Sequence, residues 1–333
     1  MIVVESYPLA VLMCIVTMLC WGSWANTQKL ASREWAFQLY YWDYGIGVLL
    51  LALGLALTMG SMGTAGRPFM EDLGQASGAA LGSAFWGGVI FNLANILLVA
   101  ALDIAGMAVA FPIGVGLALA LGVVTTYVTR PEGNPILLAV GVAAIVVAIV
   151  VDAIAYRRLA AEGEKTPVKG IALSIAAGVL MGFFYRFVVA SMAENFSAPE
   201  PGKLTPYTAV VLFSAGLVAS NFLWNTLIML KPFSGPPVPL GDYFRKGTVS
   251  LHLIGIAGGV IWSLGMAFSI IASDAAGPAL SYGLGQGATM VAAIWGVFIW
   301  KEFQGAPPGT GRLLAAMFVF YLLGLAILIA SKL

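Results

Sequence analysis

The residues with chemistry to offer are few, and most stand inside long apolar runs. Asp43, in Tyr40-Tyr41-Trp42-Asp43-Tyr44, is the carboxylate that falls well inside such a run. A charged Asp near the centre of a lipid-spanning helix costs about 2.5–3.5 kcal/mol. It must therefore titrate, as proton coupling requires, or pair with a cation such as Lys29 or Arg33 across the first hairpin. Arg186, between Tyr185 and Phe187, is the arginine in a comparable position. Its planar fork can bind a carbonyl, hydroxyl or carboxylate or close a structural pair. The two fall toward opposite ends of their runs, so no direct salt bridge between them is expected.

Amides and aromatic rings are spaced as helix faces. Trp21 and Trp24 lie three apart and share a face. Aligning Gly22 with Gly182 sets Asn26 opposite Arg186. Gly88, Asn92 and Asn95 form one stripe; Gly259, Trp262, Ser263 and Met266 form its counterpart. Tyr282, Gln286 and Thr289 follow i, i+4, i+7, and Asn221 and Asn225 sit one turn apart around Trp224. The expected solute-binding set is Trp24, Asn26, Asn92, Asn95, Arg186, Asn225, Trp262, Tyr282 and Gln286, with Asp43 as the proton-coupling group. The alternative for the amides is a helix-to-helix hydrogen bond, worth about 0.6 kcal/mol in lipid. His252 reads as a solvated residue at a membrane face. Asp103 and Asp274 read as caps for the helices that follow them.

The elements that must position these groups are membrane helices. Of 333 residues, 60% are hydrophobic and 9% charged, against about 25% charged in a soluble domain. Ten runs reach the roughly 20 residues that a spanning helix needs: 8–30, 36–59, 79–102, 106–129, 135–156, 168–193, 206–230, 250–273, 277–300 and 310–331. Continuous apolar runs without alternation exclude an outer-membrane barrel. The expected fold is all-α and polytopic, and nucleic acid is no partner at a net charge of +1.

An internal repeat organises the runs. Gly87-Gly88-Val89-Ile90 recurs as Gly258-Gly259-Val260-Ile261, an offset of 171. The same offset carries Asp103 onto Asp274, Gly106 onto Gly277, Gly114 onto Gly285 and Gly116 onto Gly287, with 12 identities in 30 ungapped pairs. Each half then holds five helices, residues 1–160 and 161–333. An odd number per half places the second upside down, the inverted-repeat plan of secondary transporters, with the site between halves near the midplane. Loop Lys and Arg divide eleven, including Arg33 and Lys165, against four (Arg67, Arg130, Lys203, Lys332). The basic side is expected in the cytoplasm and both termini outside the cytoplasmic membrane.

Ten spans, inverted halves and Gly-rich fourth and ninth helices resemble the drug/metabolite transporter superfamily. Within it, Cys20-Trp21-Gly22-Ser23-Trp24 with Gln28-Lys29, Trp42-Asp43-Tyr44, and Gly87-Gly88 followed by Asn92-Leu93-Ala94-Asn95 resemble the glucose/ribose porter, rhamnose–proton symporter and plant ureide permease branch. The resemblance implies a basket whose cavity is formed by helices 1, 3, 4, 6, 8 and 9. It also implies proton-coupled uptake of sugars, or of ureides and nucleobases. Ureide permeases carry a long loop with a nucleotide-like motif between halves; residues 157–168 are short and lack one. The expected function is thus symport of a small uncharged polar solute, a sugar before a ureide or nucleobase, with no cofactor. The alternative is export of amphipathic metabolites or drugs. A single His, no Cys–His pair and no carboxylate cluster argue against an intramembrane enzyme.

Overall fold

A computed structural model describes residues 1–32, 34–159 and 167–333. Arg33, Lys165 and the expected boundary between halves at 160/161 lie outside the described residues. Among those described, ten helices are long and apolar enough to cross a membrane: α1 (Tyr7–Ala31), α2 (Phe37–Leu57), α3 (Gly78–Ala105), α4 (Pro112–Thr129), α5 (Pro135–Arg157), α6 (Val168–Ser191), α7 (Pro206–Leu230), α8 (Val249–Ala276), α9 (Pro278–Ile299) and α10 (Thr310–Ala330). In lipid, backbone groups must be satisfied within the segment, which is why each apolar run becomes a helix.

Their ends follow local chemistry. Pro8, Pro135, Pro206 and Pro278 stand in first turns, where a missing N–H costs nothing. Side chains of Ser77, Asn134 and Thr248 accept from N–H groups of the first turns of α3, α5 and α8. Helices α3 and α8 both end on a glycine at positive φ, Gly106 (72°) and Gly277 (85°). Asp274 does not cap α9 as expected. Its carboxylate takes Arg130 Nη2 at 3.4 Å and the Phe196 amide at 3.2 Å, because Gly277 turns the chain away before α9 begins.

Both termini emerge on one face. There the Met1 ammonium donates to the Ala65 carbonyl, and Lys332 pairs with Glu132. We call this the terminal face and the opposite one the basic face. On the terminal face Arg67 donates to the carbonyls of Pro199, Glu200 and Lys203, and Asp72 accepts from the Thr205 amide at 2.7 Å. The α2–α3 connection is thereby tied to the α6–α7 connection.

Inside the bundle α3 packs on α6 and α7, while α8 packs on α1 and α2. Helix α4 lies on α6, α9 on α1, α2 on α7 and α5 on α10. Glycines permit the closest crossings. A Cβ at Gly88 would stand 1.9 Å from the Phe213 carbonyl oxygen, and one at Gly259 2.0 Å from that of Tyr44. Three spans are irregular. Helix α1 is interrupted at Trp24. Helix α4 opens with a widened turn over Phe111–Val115, where Pro112 offers no N–H. Helix α9 breaks at Gln286–Gly287.

Candidate functional site

The irregularities in α1, α4 and α9 border a cavity of about 170 Å³. A water needs about 10–15 Å³ by this measure, so the space suits one small solute or several waters. Its wall comes from α1, α3, α4, α6, α8 and α9, the six helices expected. Lining residues run from the bilayer centre (Trp262, Phe184) toward the basic ends of α1 and α3 (Gln28, Leu102).

Aromatic faces dominate it. Trp21 and Trp262 stack with centroids 5.9 Å apart, and Phe91 lies 4.4 Å from Trp262. Phe184 meets Phe91 edge-on at 5.0 Å, and Trp24 leans on Tyr44. The Trp21 indole N–H is fixed by the Trp262 carbonyl at 3.2 Å. Hydrogen-bonding side chains in the wall are Gln28, Asn95, Gln286 and Thr289. Asn95 Nδ2 donates to the Tyr41 hydroxyl at 3.0 Å, and Thr289 Oγ1 accepts from Tyr321 at 2.6 Å. Among the described residues no charged side chain lines the cavity.

Toward the terminal face the cavity is shut by a buried polar layer. Tyr185 and Ser269 share a hydrogen bond at 2.9 Å, and Ser269 and Ser281 another at 3.0 Å. Cys14 Sγ donates to Ser281 Oγ at 3.5 Å. The Tyr282 hydroxyl donates to the carbonyls of Ala118 and Met181. This layer joins α1, α4, α6, α8 and α9. Ten residues separate Cys14 from Trp24, about 15 Å of helical rise.

Of the expected solute contacts, Trp24, Asn95, Trp262 and Gln286 line the cavity. The others go elsewhere, each for a local reason. Asn92 is buried and donates to the Leu217 carbonyl and Ser220 Oγ on α7. Asn225 donates to the Gln38 carbonyl at 2.8 Å. Asn26 binds the Ser23 carbonyl and accepts from the Trp300 indole. Tyr282 belongs to the closing layer. Arg186 lies on the exposed outer surface of α6, near the terminal end, where a long side chain can reach the headgroups. Asn26 and Arg186, aligned through Gly22 and Gly182, both lie outside the cavity wall.

Asp43 is also outside the cavity. It is 1% exposed, yet Oδ1 accepts from the Tyr243 hydroxyl and Oδ2 meets His252 Nδ1 at 2.9 Å. Lys29 is not its partner; it pairs with Glu302 at 2.6 Å. His252, expected to be solvated, is the buried acid's partner and packs edge-on against Trp35. Burial and the Asp43 carboxylate push the Tyr243 hydroxyl above its ordinary range, so it stays a donor. Phe91, Phe184 and Met181 had no signal in sequence that separates them from core residues. Asp152, buried near the basic end of α5, has no distinguishing signal in sequence, since its apolar run ends four residues later, where a carboxylate at a membrane face is ordinary.

Ten membrane helices around an uncharged, aromatic-lined chamber, among the described residues, form the kind of bundle that the known relatives of this chain share as permeases. The chain belongs to the ureide permease family, whose model matches residues 156–331. Along its whole length it is 22% identical to Ureide permease 1 of Arabidopsis thaliana, covering 99% of that protein. Ureide permease 2 of the same plant is 21% identical, with 100% of this chain and 99% of the relative covered. A solved crystal structure shares the fold at a TM-score of 0.58 and 16% identity, over 98% of this chain and 99% of the other.

Proposed function

We propose that the protein is a proton-driven importer of a small uncharged ring solute carrying N–H and C=O groups, of the ureide type. The observation that carries this reading is the cavity wall: stacked aromatic faces with the amides of Asn95, Gln28 and Gln286 and no charge. With its Nδ2 on Tyr41, Asn95 offers a solute its carbonyl oxygen, an acceptor for a ring N–H. Gln286, at the break in α9, offers both a donor and an acceptor. Flat rings gain about 0.5–1.5 kcal/mol per well-placed aromatic partner beyond burial. The names of the plant relatives agree with this solute class.

Alternating access follows from an inverted repeat of residues 1–160 and 161–333. Exchanging each helix with the one five places on turns the α3–α6, α3–α7 and α4–α6 packings into α8–α1, α8–α2 and α9–α1, all of which occur. The matched carbonyl approaches at Gly88 and Gly259 support the same symmetry. In this reading the structure is the state open toward the basic face, which the charge bias assigns to the cytoplasm of the cell's inner membrane. The Tyr185–Ser269–Ser281 layer must part to open the other side. Asp43, with both oxygens occupied, acts as a latch between α2, α8 and the α7–α8 connection.

Uptake of labelled allantoin, uracil and glucose into proteoliposomes, with and without an inward acid gradient, tests the reading. Gradient-stimulated uptake of allantoin or uracil supports it. Glucose uptake alone would move the assignment to sugars, which the same aromatic faces can stack against. No gradient response for any of the three sinks it.

A further inference from the structure

Asp152 is a carboxyl that neither the cavity nor the Asp43 latch uses. It lies about 8 Å of helical rise from the basic end of α5. The residue is 6% exposed, and Oδ1 has no hydrogen-bond partner among the described residues. A bare carboxylate so placed would be buried without a cation or a full set of donors, which is costly. Asp43, by contrast, has a partner on each oxygen.

What surrounds Asp152 is a route. Helix α5 packs on α10 and touches α4 and α9. Glu302, which follows α9, is the charged group that reaches Asp152; the Asp152 charge in turn reaches the hydroxyls of Tyr321 on α10 and of Tyr156 one turn further along α5. Helix α4 has no charged residue between Pro112 and Thr129. On the cavity side, Tyr321 donates to Thr289, which lines the chamber. On the basic side, Tyr156 donates to Glu302 Oε2 at 2.8 Å, and Lys29 pairs with Oε1 at 2.6 Å. Asp152 therefore stands between the solute chamber and an ion pair at the membrane face.

We propose that Asp152 is a proton-binding site, loaded from the chamber past Thr289 and Tyr321 and unloaded at the basic face past Glu302. This rests on the transport reading above and names the group that carries its coupling ion. On loading, an O–H bond forms on the carboxylate; on release that bond breaks and water takes the proton. Loaded and neutral, Asp152 leaves Glu302 to Lys29 and Tyr156, which holds the end of α1 to the α9–α10 connection. Emptied, its charge opposes Glu302 and loosens that contact, so protonation and the position of α1 are coupled.

The test uses the full chain in proteoliposomes, as wild type, Asp152→Asn and Asp43→Asn. Infrared difference spectra are recorded as pH is lowered, and allantoin movement is followed as counterflow and as acid-driven uptake. The expected spectral result is a carbonyl band of a buried protonated carboxylic acid in wild type and Asp43→Asn, missing in Asp152→Asn. Asp152→Asn should keep counterflow while its acid-driven uptake falls to the rate without a gradient. Identical carboxylic bands in wild type and Asp152→Asn overturn the proposal, whatever solute is carried. So does gradient-driven accumulation that survives Asp152→Asn. A wild type that moves no solute while the Asp152 band is present defeats the transport reading and leaves the proton site standing.

Discussion

His252 and Asp43, 209 residues apart, meet at 2.9 Å across the α2–α8 contact. Tyr243 completes the pair from the α7–α8 connection. Leaving one oxygen of the buried Asp43 carboxylate without its hydrogen-bond partner costs about 1–3 kcal/mol. His252→Ala should therefore lower the thermal unfolding midpoint of the purified protein more than Asp43→Asn, which leaves no stranded charge. The Tyr243 hydroxyl, raised by burial and by Asp43, binds its proton more tightly folded than unfolded. Its contribution should be constant below about pH 10, the ordinary tyrosine value, and shrink above it. The stability difference between wild type and Tyr243→Phe, measured against pH, checks the sign.

The cavity wall predicts a graded response. Gln286→Ala and Trp262→Ala should each raise the half-saturation concentration for the transported solute. Tyr41→Phe removes the group that orients Asn95 without touching the chamber. A net hydrogen bond is worth about 0.5–1.5 kcal/mol, so about a two- to tenfold rise is expected. Arg186→Ala should leave this constant unchanged, since its side chain is on the outer surface.

Cys14 reports the closing layer. It is buried against Ser281, so a membrane-impermeant maleimide added from the terminal face should label it slowly in a Cys20→Ser background. Ser269→Ala combined with Tyr185→Phe cuts the layer's hydrogen bonds and should speed labelling. Unchanged labelling in that variant, with the fold intact, would show that the layer is not the barrier.

The glycine crossings set close packing. Gly88→Ala and Gly259→Ala place a Cβ within 2.0 Å of a carbonyl oxygen, and overpacking costs about 1–3 kcal/mol or more. Both should lower the unfolding midpoint. Gly54→Ala, where a Cβ meets nothing within 4 Å, should be neutral or slightly stabilising. Equal effects at all three positions would count against tight packing.

Much of this architecture was legible from residues alone. All ten spans and the Gly87/Gly258 repeat could be read because lipid rejects an unpaired backbone; Gly106 and Gly277 matched in the repeat, and the structure shows that each ends a helix at positive φ. The site was legible in part. Asn95, Trp24, Trp262 and Gln286 stood out as polar or aromatic groups near span centres, and they do face the chamber. Asn92 and Asn225 carry the same signal and instead bridge helices, while Phe91 and Phe184 line the chamber with no signal at all.

What the sequence determined by itself is the set of spans, their length and the shortage of buried charge, since each depends on the cost of moving a segment from water to lipid. Which side of each helix meets the chamber was decided only in the tertiary structure. Asn92 faces Ser220, Asp43 faces His252 and Arg186 faces outward because of which neighbour packs on each helix. A helix's rotation is set by the partners it finds, and those partners are more than a hundred residues away along the chain for Asn92 and Asp43.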